Sequence, residues 1–185
     1  MKNFIIEGLD RLGKDTLIKN IQHKTGYKMV CHRSKPLALD CYRKENNSLL
    51  RFQQECFAND MRLLWMSEDT SSFNGVIFNR SWIGEFVYAP MYRGYSAEYI
   101  FDYENAYSLE KLKQTTLVLL TEDFAKSKHF VDDGLSFDIS KRVEEQNSFE
   151  LAFERSRVPY KKKICVTADN GSFKDPLSIL SEVFV

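Results

Sequence analysis

The chain has 185 residues, and its 26 basic and 26 acidic side chains give a formal net charge of zero at neutral pH. This length predicts one domain, and a hydrophobic content of 43% with 14% aromatic residues excludes a disordered or collagen-like protein. Balanced charge argues against a protein that binds nucleic-acid phosphates without sequence preference, because that function needs a basic surface. Nucleic acid is therefore an unlikely partner.

Cysteine usage and hydropathy predict where the protein works. The four cysteines lie far apart, without a CxxC pair or a neighbouring pair of histidines, so their spacing predicts neither a zinc site nor a disulfide framework. No apolar stretch approaches the roughly 18 residues of a membrane span, and the first apolar run is too short for a signal peptide. We therefore expect a cytoplasmic protein with no membrane partner.

Short apolar runs, each bounded by polar or turn residues, predict five strands. None of the runs alternates with polar residues, which is typical of strands buried on both faces of a parallel sheet. The five runs are Phe4–Ile6, Met29–Cys31, Val76–Phe78, Leu117–Leu120 and Ile164–Val166.

Amphipathic patterns between these runs predict helices. Asp15–Lys24 has its apolar residues on one face, and Gly26 follows as a stop signal. Ser48–Ser67 and Ile139–Arg157 show the same helical spacing. Alternating strands and helices predict right-handed crossovers, and therefore an α/β three-layer sandwich with a five-stranded parallel sheet and helices on both faces.

The segment Gly8–Thr16, called here the phosphate loop, has the strongest functional pattern. Two glycines bracket four residues and Lys14 follows, as in a Walker A loop of a P-loop NTPase, between a predicted strand and a predicted helix. Glycines let backbone N–H groups face an anion, and the helix amino terminus adds a favourable dipole. The predicted ATP-binding residues are Gly8, Leu9, Asp10, Arg11, Leu12, Gly13, Lys14, Asp15 and Thr16.

One residue of the phosphate loop departs from the Walker A pattern. The residue after the lysine is normally Ser or Thr, whose hydroxyl holds magnesium, but here it is Asp15, and Thr16 follows. A carboxylate about 4 Å from a phosphate charge costs roughly 4 kcal/mol at an effective dielectric constant near 20. Asp15 therefore either faces the metal or turns away and leaves the metal to Thr16 or water. Both are predicted metal-site residues, with Mg²⁺ as the cofactor.

Several motifs resemble the thymidylate kinase family, especially its phage-encoded members. Glu7–Lys14 matches that family's Glu-Gly-x-Asp-Arg-x-Gly-Lys pattern, and Val76–Ser81 resembles its strand that ends in Asp-Arg-Tyr. Gly84–Gly94 and Asp132–Phe137 are similar to thymidylate-kinase-like enzymes of large bacteriophages. The resemblance covers most of the chain in order and implies a single P-loop nucleoside monophosphate kinase domain, located in the host cytoplasm if a phage encodes it.

The resemblance also implies roles for residues at the phosphoryl group. Lys14 would hold the ATP phosphates, and Arg11 would neutralise charge on the group in transfer. Asp10 would lie near the sugar 3′-hydroxyl and the accepting phosphate. Arg142 is the candidate for a further catalytic arginine, because it lies in a charged stretch between the fourth and fifth strands. We expect a lid at about residues 124–145 to close over ATP and exclude water.

On the acceptor side, the resemblance implies that Arg80 binds the 5′-phosphate and that Tyr88 crowds the 2′ position, which favours deoxyribose. Phe57 and Arg62 would lie on the helix that stacks on the base and reads it. Glu85, which lies between two arginines in sequence, either pairs with one of them or aligns the acceptor.

Asn79 is a second departure, because the family has at this place an aspartate that organises water on magnesium. The chain lacks a negative charge at Asn79 and has an additional one at Asp15. We therefore hypothesise that the carboxylate that serves the metal has moved to Asp15.

Three other patterns favour structural roles. Six tyrosines recur every three or four residues from Tyr88 to Tyr107, which indicates packing in the core or against a second subunit for all but Tyr88 and Tyr92. His23, His32 and His129 lack metal or triad spacing, so we interpret them as surface or structural residues. Lys161–Lys163 indicates a solvated turn.

We therefore expect the protein to transfer the γ-phosphoryl group of ATP to a deoxynucleoside monophosphate for DNA precursor synthesis, with dTMP as the favoured acceptor. The acceptor could instead be a modified deoxypyrimidine monophosphate, a nucleoside or a base in DNA. The other alternative is a nucleotide-binding module without catalysis. The resemblance also implies a homodimer.

Overall fold

The computed structural model describes residues 3–32, 46–69, 74–106, 112–127 and 139–185. The strands are β1 (Asn3–Gly8), β2 (Met29–His32), β3 (Val76–Asn79), β4 (Thr115–Thr121) and β5 (Tyr160–Cys165). The helices are α1 (Lys14–Thr25), α2 (Asn46–Asp69), α3 (Trp82–Tyr88), α4 (Tyr99–Ala106), α5 (Arg142–Arg155) and α6 (Pro176–Phe184). A π-helical turn (Ala89–Arg93) follows α3, and a 3₁₀ turn (Ile139–Lys141) precedes α5.

The five strands form one parallel sheet in the order β2-β3-β1-β4-β5. α1 packs against β1, β3 and α6, whereas α2, α3 and α5 contact the sheet and one another as a second group. Right-handed crossovers place α1 and α6 on one face and the second group on the other. The predicted α/β fold, a parallel five-stranded sheet between two helical layers, is confirmed.

Burial separates the central strands from the edge strands. Every residue of β1 and β4 is buried, as the continuous apolar runs predict. β2 has no fully buried residue, and β5 buries only Ile164. The prediction of strands buried on both faces is therefore wrong for the two edges of the described sheet, which lack a neighbouring strand on one side.

The predicted turn at Lys161–Lys163 is also wrong. These lysines belong to β5, which starts at Tyr160 and, among the described strands, pairs with β4 alone. Lysines on an edge strand discourage pairing with another chain, so their charge suits this position.

The three predicted helices are confirmed with small changes as α1, α2 and α5, whereas α3, α4 and α6 were not predicted as separate helices. α1 ends before Gly26, which has a φ of +74°. α6 was not predicted, although its start has a recognisable signal: Asp175 caps it by accepting hydrogen bonds from Leu177 N and Ser178 N, and Pro176 occupies the first turn. No helix in the described ranges is long and apolar enough to cross a bilayer.

The tyrosine-rich segment is divided as Pro90 predicts, because α3 ends at Tyr88 and α4 begins at Tyr99. Tyr95, Tyr99 and Tyr103 pack against the hydrophobic core, which confirms the structural interpretation of these residues. Tyr107 lies outside the described residues.

Gly8 and Gly13 provide a test of the backbone geometry. A Cβ on Gly8, whose φ is +133°, would lie 2.4 Å from the carbonyl oxygen of Leu120, whereas a Cβ on Gly13, whose φ is +79°, would meet no atom within 4 Å. We expect Gly8→Ala to lower the free energy of unfolding by about 3 kcal/mol, and Gly13→Ala by about 1 kcal/mol. Urea unfolding of both variants measures the difference, and equal losses would contradict the close approach of β1 and β4.

Candidate active site

The phosphate loop lies at the carboxyl end of β1, in the middle of the sheet. β3 and β4 flank β1, and the connection from β1 runs toward one edge of the sheet whereas the connection from β4 runs toward the other. Ligands of open α/β sheets bind at such a position. Leu9 and Leu12 are buried in the core and anchor the loop from beneath, and Gly13 starts α1 in a left-handed conformation. The sequence thus places backbone N–H groups at the start of a helix, where an anion binds favourably.

Lys14 folds over the loop. Its Nζ donates hydrogen bonds to the carbonyl oxygens of Gly8 (3.2 Å) and Leu9 (2.6 Å). Burial lowers the pKa of Lys14 to about 7, and the Arg80 charge contributes in the same direction. The negative charges of Asp10, Glu7 and Asp15 only partly oppose this shift. A bound anion would favour the charged amine, so the geometry couples anion binding to protonation of Lys14.

The phosphate cavity, of about 390 Å³, opens above the loop. It brings together six of the nine predicted loop residues and the predicted acceptor ligand Arg80. It also contains His32 from β2, which the sequence analysis assigned to the surface or to a structural role. Its lining residues are Asp10, Arg11, Gly13, Lys14, Asp15, Thr16, His32, Asn79 and Arg80.

Arg80 provides a second cation at the phosphate cavity. Its guanidinium lies 2.5 Å from Asp10 Oδ1, and its centre lies 5.1 Å from the ring centroid of Tyr88 and 5.9 Å from that of Phe149. Burial disfavours the charged form, but the acidic groups of Tyr88, Asp10 and Glu7 outweigh it and raise the pKa of Arg80. The guanidinium therefore stays charged beside the loop.

Glu7 holds the backbone that presents Arg80. Its buried Oε1 accepts hydrogen bonds from Ser81 N (2.7 Å), Ser81 Oγ (3.0 Å) and Gly84 N (3.3 Å). Arg80 itself has a φ of +68°, a conformation that side chains other than glycine rarely adopt. The sequence analysis matched Glu7 to a motif but assigned it no role, because only the adjacency of β1 and β3 shows what it contacts.

Asp15 and Asn79, the two departures from the family patterns, contact each other. Asn79 Nδ2 donates to Asp15 Oδ1 at 2.7 Å and lies 3.2 Å from His32 Nδ1. Thr16 is exposed in the same cavity. A carboxylate and a hydroxyl are oxygen donors of the kind that Mg²⁺ uses, together with substrate phosphates.

Arg142 reaches the loop from α5. Its Nε donates to Glu122 Oε1 at 3.0 Å, and its Nη1 donates to the carbonyl oxygen of Asp10 at 3.3 Å. Arg142 is the first residue of α5 and is buried, so this arrangement fastens it in place. Residues 128–138 of the predicted lid lie outside the described residues, and the lid stays a prediction.

A second cavity, called the side cavity, has a volume of about 220 Å³ on the other side of the loop. It shares Arg11, Gly13 and Thr16 with the phosphate cavity, and its other lining residues are Leu12, Leu17, Phe173, Lys174, Pro176 and Ile179. The sequence analysis did not find it, because its far wall comes from α6 and the turn before it.

Four predicted acceptor residues do not line the phosphate cavity: Phe57, Arg62, Glu85 and Tyr88. Phe57 is a correction: it is 1% exposed, and its ring contacts Trp82 and Tyr103 in the core, each at a centroid distance of 5.2 Å, so it offers no face to a base. Arg62 is exposed on α2. Glu85 is buried and accepts hydrogen bonds from Arg93 and from the hydroxyl of Tyr95.

Tyr88 does not line the phosphate cavity itself, but its ring contacts Arg80, which does. Its ring packs edge-on against Phe149, with a centroid distance of 5.7 Å, and lies 6.0 Å from the ring of Tyr92. The Tyr92 hydroxyl donates to Glu145 on α5. Tyr88 and Tyr92 thus form an aromatic wall that extends away from Arg80.

The depressed pKa of Lys14 predicts proton uptake on anion binding. In the absence of an anion the amine is mostly neutral at about pH 8, above its pKa near 7, and a bound polyphosphate would raise that pKa and draw in a proton. We expect calorimetry of tripolyphosphate binding in buffers of different ionisation enthalpy to show more uptake in the wild type than in Lys14→Met. Lys19→Met, at an exposed lysine of α1, is the control. Equal proton uptake in the wild type and Lys14→Met would contradict the prediction.

Comparison with known proteins identifies the fold. No model of a protein family and no curated protein matches the chain. Among solved structures, thymidylate kinase from Candida albicans matches with a TM-score of 0.59 and 15% identity, over 99% of this chain and 89% of that chain. The YorR protein from Bacillus subtilis, in complex with phosphorylated GDP, matches with a TM-score of 0.57 and 15% identity, over 98% and 93% of the two chains.

Deoxyadenosine kinase from M. mycoides with bound dATP matches with a TM-score of 0.55 and 15% identity, over 98% of this chain and 97% of that chain. At this level of identity the similarity shows the fold alone. The chain has the α/β fold of thymidylate kinase and deoxyadenosine kinase along nearly its whole length.

Proposed function

We propose that the protein is a Mg²⁺- and ATP-dependent deoxynucleoside monophosphate kinase, with dTMP as the favoured acceptor. The observation that carries the proposal is a carboxylate shared by a buried lysine and a partly buried arginine: Asp10 Oδ1 lies 2.5 Å from Arg80 and 3.9 Å from Lys14 Nζ. A single phosphate could be held by the loop and its lysine. A second cation, which directly follows β3, suits a second anion beside the first, as when a donor and an acceptor phosphate meet.

The chemistry of phosphoryl transfer fits this arrangement. The reaction needs positioning and positive charge around a loose transition state rather than covalent participation of the protein. Lys14 would hold the donor phosphates, Arg80 the acceptor phosphate, and Arg11 would add charge from the opening of the cavity. Arg142 would act mainly by fixing the carbonyl of Asp10, unless closure of the predicted lid releases it toward the phosphates.

The residues at the cavity opening fit a metal that enters with the nucleotide. Asp15 and Thr16 would hold it, and Asn79 would orient Asp15 through their 2.7 Å hydrogen bond. Mg²⁺, when bound, would neutralise charge on the β- and γ-phosphate oxygens.

The side cavity is the proposed position of the donor base. Its apolar walls suit a flat ring, and Phe173, which is 45% exposed, can stack on one face of that ring. Arg11, Gly13 and Thr16 line both cavities, so a nucleotide could place its base in the side cavity and its phosphates on the loop.

A nucleoside is the second candidate acceptor, favoured by the position of His32. A phosphate acceptor needs no base, whereas a hydroxyl acceptor must lose a proton, and a neutral imidazole can take it. His32 lines the phosphate cavity. The resemblance of the motifs favours a monophosphate, and the assay below separates the two.

Partners of the kinase follow from the resemblance and from the charge. A homodimer is proposed on the resemblance, and light scattering that gives the molar mass of one chain would contradict it. The zero net charge argues against duplex DNA as the substrate.

The central test is ADP release with ATP and Mg²⁺, measured against each common deoxy- and ribonucleoside monophosphate and the matching nucleosides. We expect turnover with dTMP, alone or with few other deoxynucleoside monophosphates, and its loss in Lys14→Ala because the donor phosphates lose their cation. Lys19→Ala should keep wild-type turnover. Turnover with nucleosides but no monophosphate would select the second candidate. If the protein binds ATP but none of the tested acceptors gives turnover, it would be a binding module or a kinase of a modified acceptor.

Arg80→Ala tests the acceptor assignment. Removing a charged hydrogen-bond partner of a phosphate costs roughly 2–3 kcal/mol, so we expect KM for the monophosphate to rise about 30- to 150-fold while the affinity for ATP stays within about twofold. Arg157→Ala, at an exposed arginine, is the control. A normal monophosphate KM in Arg80→Ala would remove the assignment.

A further inference from the structure

His32 belongs to a hydrogen-bonded row at the opening of the phosphate cavity. It ends β2 and pairs in register with Asn79, the last residue of β3. Asn79 Nδ2 lies 2.7 Å from Asp15 Oδ1 and 3.2 Å from His32 Nδ1. All three residues line the cavity, although they come from two strands and the start of α1.

The chemistry of the three groups gives this row a direction. An ionised carboxylate only accepts hydrogen bonds, whereas the Asn79 amide nitrogen carries two hydrogens. Asn79 can therefore donate one hydrogen to Asp15 and the other to His32 Nδ1, which then acts as the acceptor. In this assignment a neutral His32 carries its hydrogen on Nε2 and has no lone pair left for an acceptor hydroxyl, so this role and that of the general base in the nucleoside alternative exclude each other. Both hydrogens of the amide are used, so its orientation is fixed and so is the Asp15 oxygen that it holds.

We propose that His32 is a positioning residue for the divalent cation of the nucleotide complex, acting through Asn79 on Asp15. The inference rests on the proposed function, because it requires a nucleotide at the phosphate loop. A carboxylate at this place that could rotate toward the phosphates would repel them. We infer that the row keeps Asp15 from rotating toward the phosphates, so that its negative charge is available to the cation.

The expected loss of metal affinity can be taken from other metal sites in which a residue that does not bind the metal orients a ligand that does. Loss of such a partner typically costs 10- to 100-fold in metal affinity. His32 is exposed at the end of an edge strand, so its replacement should leave the fold intact. His23, exposed in the last turn of α1, offers a matched control histidine.

The test measures ATP binding by calorimetry, once in EDTA and once with Mn²⁺ as the probe cation, with no acceptor present. We expect His32→Ala to reduce the affinity gained from Mn²⁺ about tenfold and to leave ATP binding in EDTA unchanged. His32→Gln, whose amide oxygen can accept from Asn79, should recover part of the gain, and His23→Ala should behave as the wild type. Asp15→Asn should lose the gain and bind ATP in EDTA more tightly.

A double-mutant cycle and a spectroscopic measurement make the inference falsifiable. If His32 acts through Asp15, the variant with both substitutions should lose no more of the Mn²⁺ gain than Asp15→Asn alone. Additive losses, or a spin-echo signal from an imidazole nitrogen bound directly to Mn²⁺, would overturn the inference. An unchanged Mn²⁺ gain in His32→Ala would also overturn it while leaving the proposed kinase intact. Absence of any ATP binding by the wild type would overturn both.

Discussion

The arrangement of the active site depends on the buried carboxylate of Glu7. A carboxylate in a fully buried strand is costly unless it is hydrogen-bonded, and Glu7 accepts from the backbone N–H groups of Ser81 and Gly84 and from the Ser81 hydroxyl. This interaction joins the end of β1 to the first turn of α3. Arg80 directly precedes Ser81, and Lys14 follows the loop that leaves β1. The same carboxylate therefore sets the spacing between the two cations of the proposed site.

The phosphate cavity holds two positive side chains close together, which is unfavourable in free energy. Lys14 is buried and Arg80 partly buried, the Arg80 charge lowers the pKa of Lys14, and Asp10 offsets this for Lys14 only in part. Buried like charges of this kind are uncommon in a site selected for stability alone, and they are expected where a ligand supplies the missing charge. The depressed pKa of Lys14 is the local sign of that imbalance. Nucleotide binding would restore the balance, and this links the electrostatics of the cavity to its proposed chemistry.

The two departures from the family patterns acquire a common explanation from the structure. Asp15 and Asn79 lie 64 residues apart in sequence and share a hydrogen bond of 2.7 Å. An aspartate at position 79 would place two carboxylates at this distance, and one of them would resist ionisation. This chain has Asp15 where the Walker A pattern has a hydroxyl, and Asn79 where the family has an aspartate. The two differences therefore compensate each other in charge. Each residue is unusual alone, but the pair keeps one negative charge at the cavity opening.

The sequence by itself determined the five strands, the main helices and the phosphate loop, because apolar periodicity and glycine spacing are local properties. Long-range packing decided the rest. Phe57 has an aromatic ring that could stack on a base, but it lies in the core because α2 packs against β3 and α3. Lys161–Lys163 looks like a turn until pairing with β4 makes it an edge strand. His32 shows no local pattern, and it reaches the site only because β2 pairs with β3 and ends beside Asn79. Strand order is a property of the whole chain, and no window of sequence contains it.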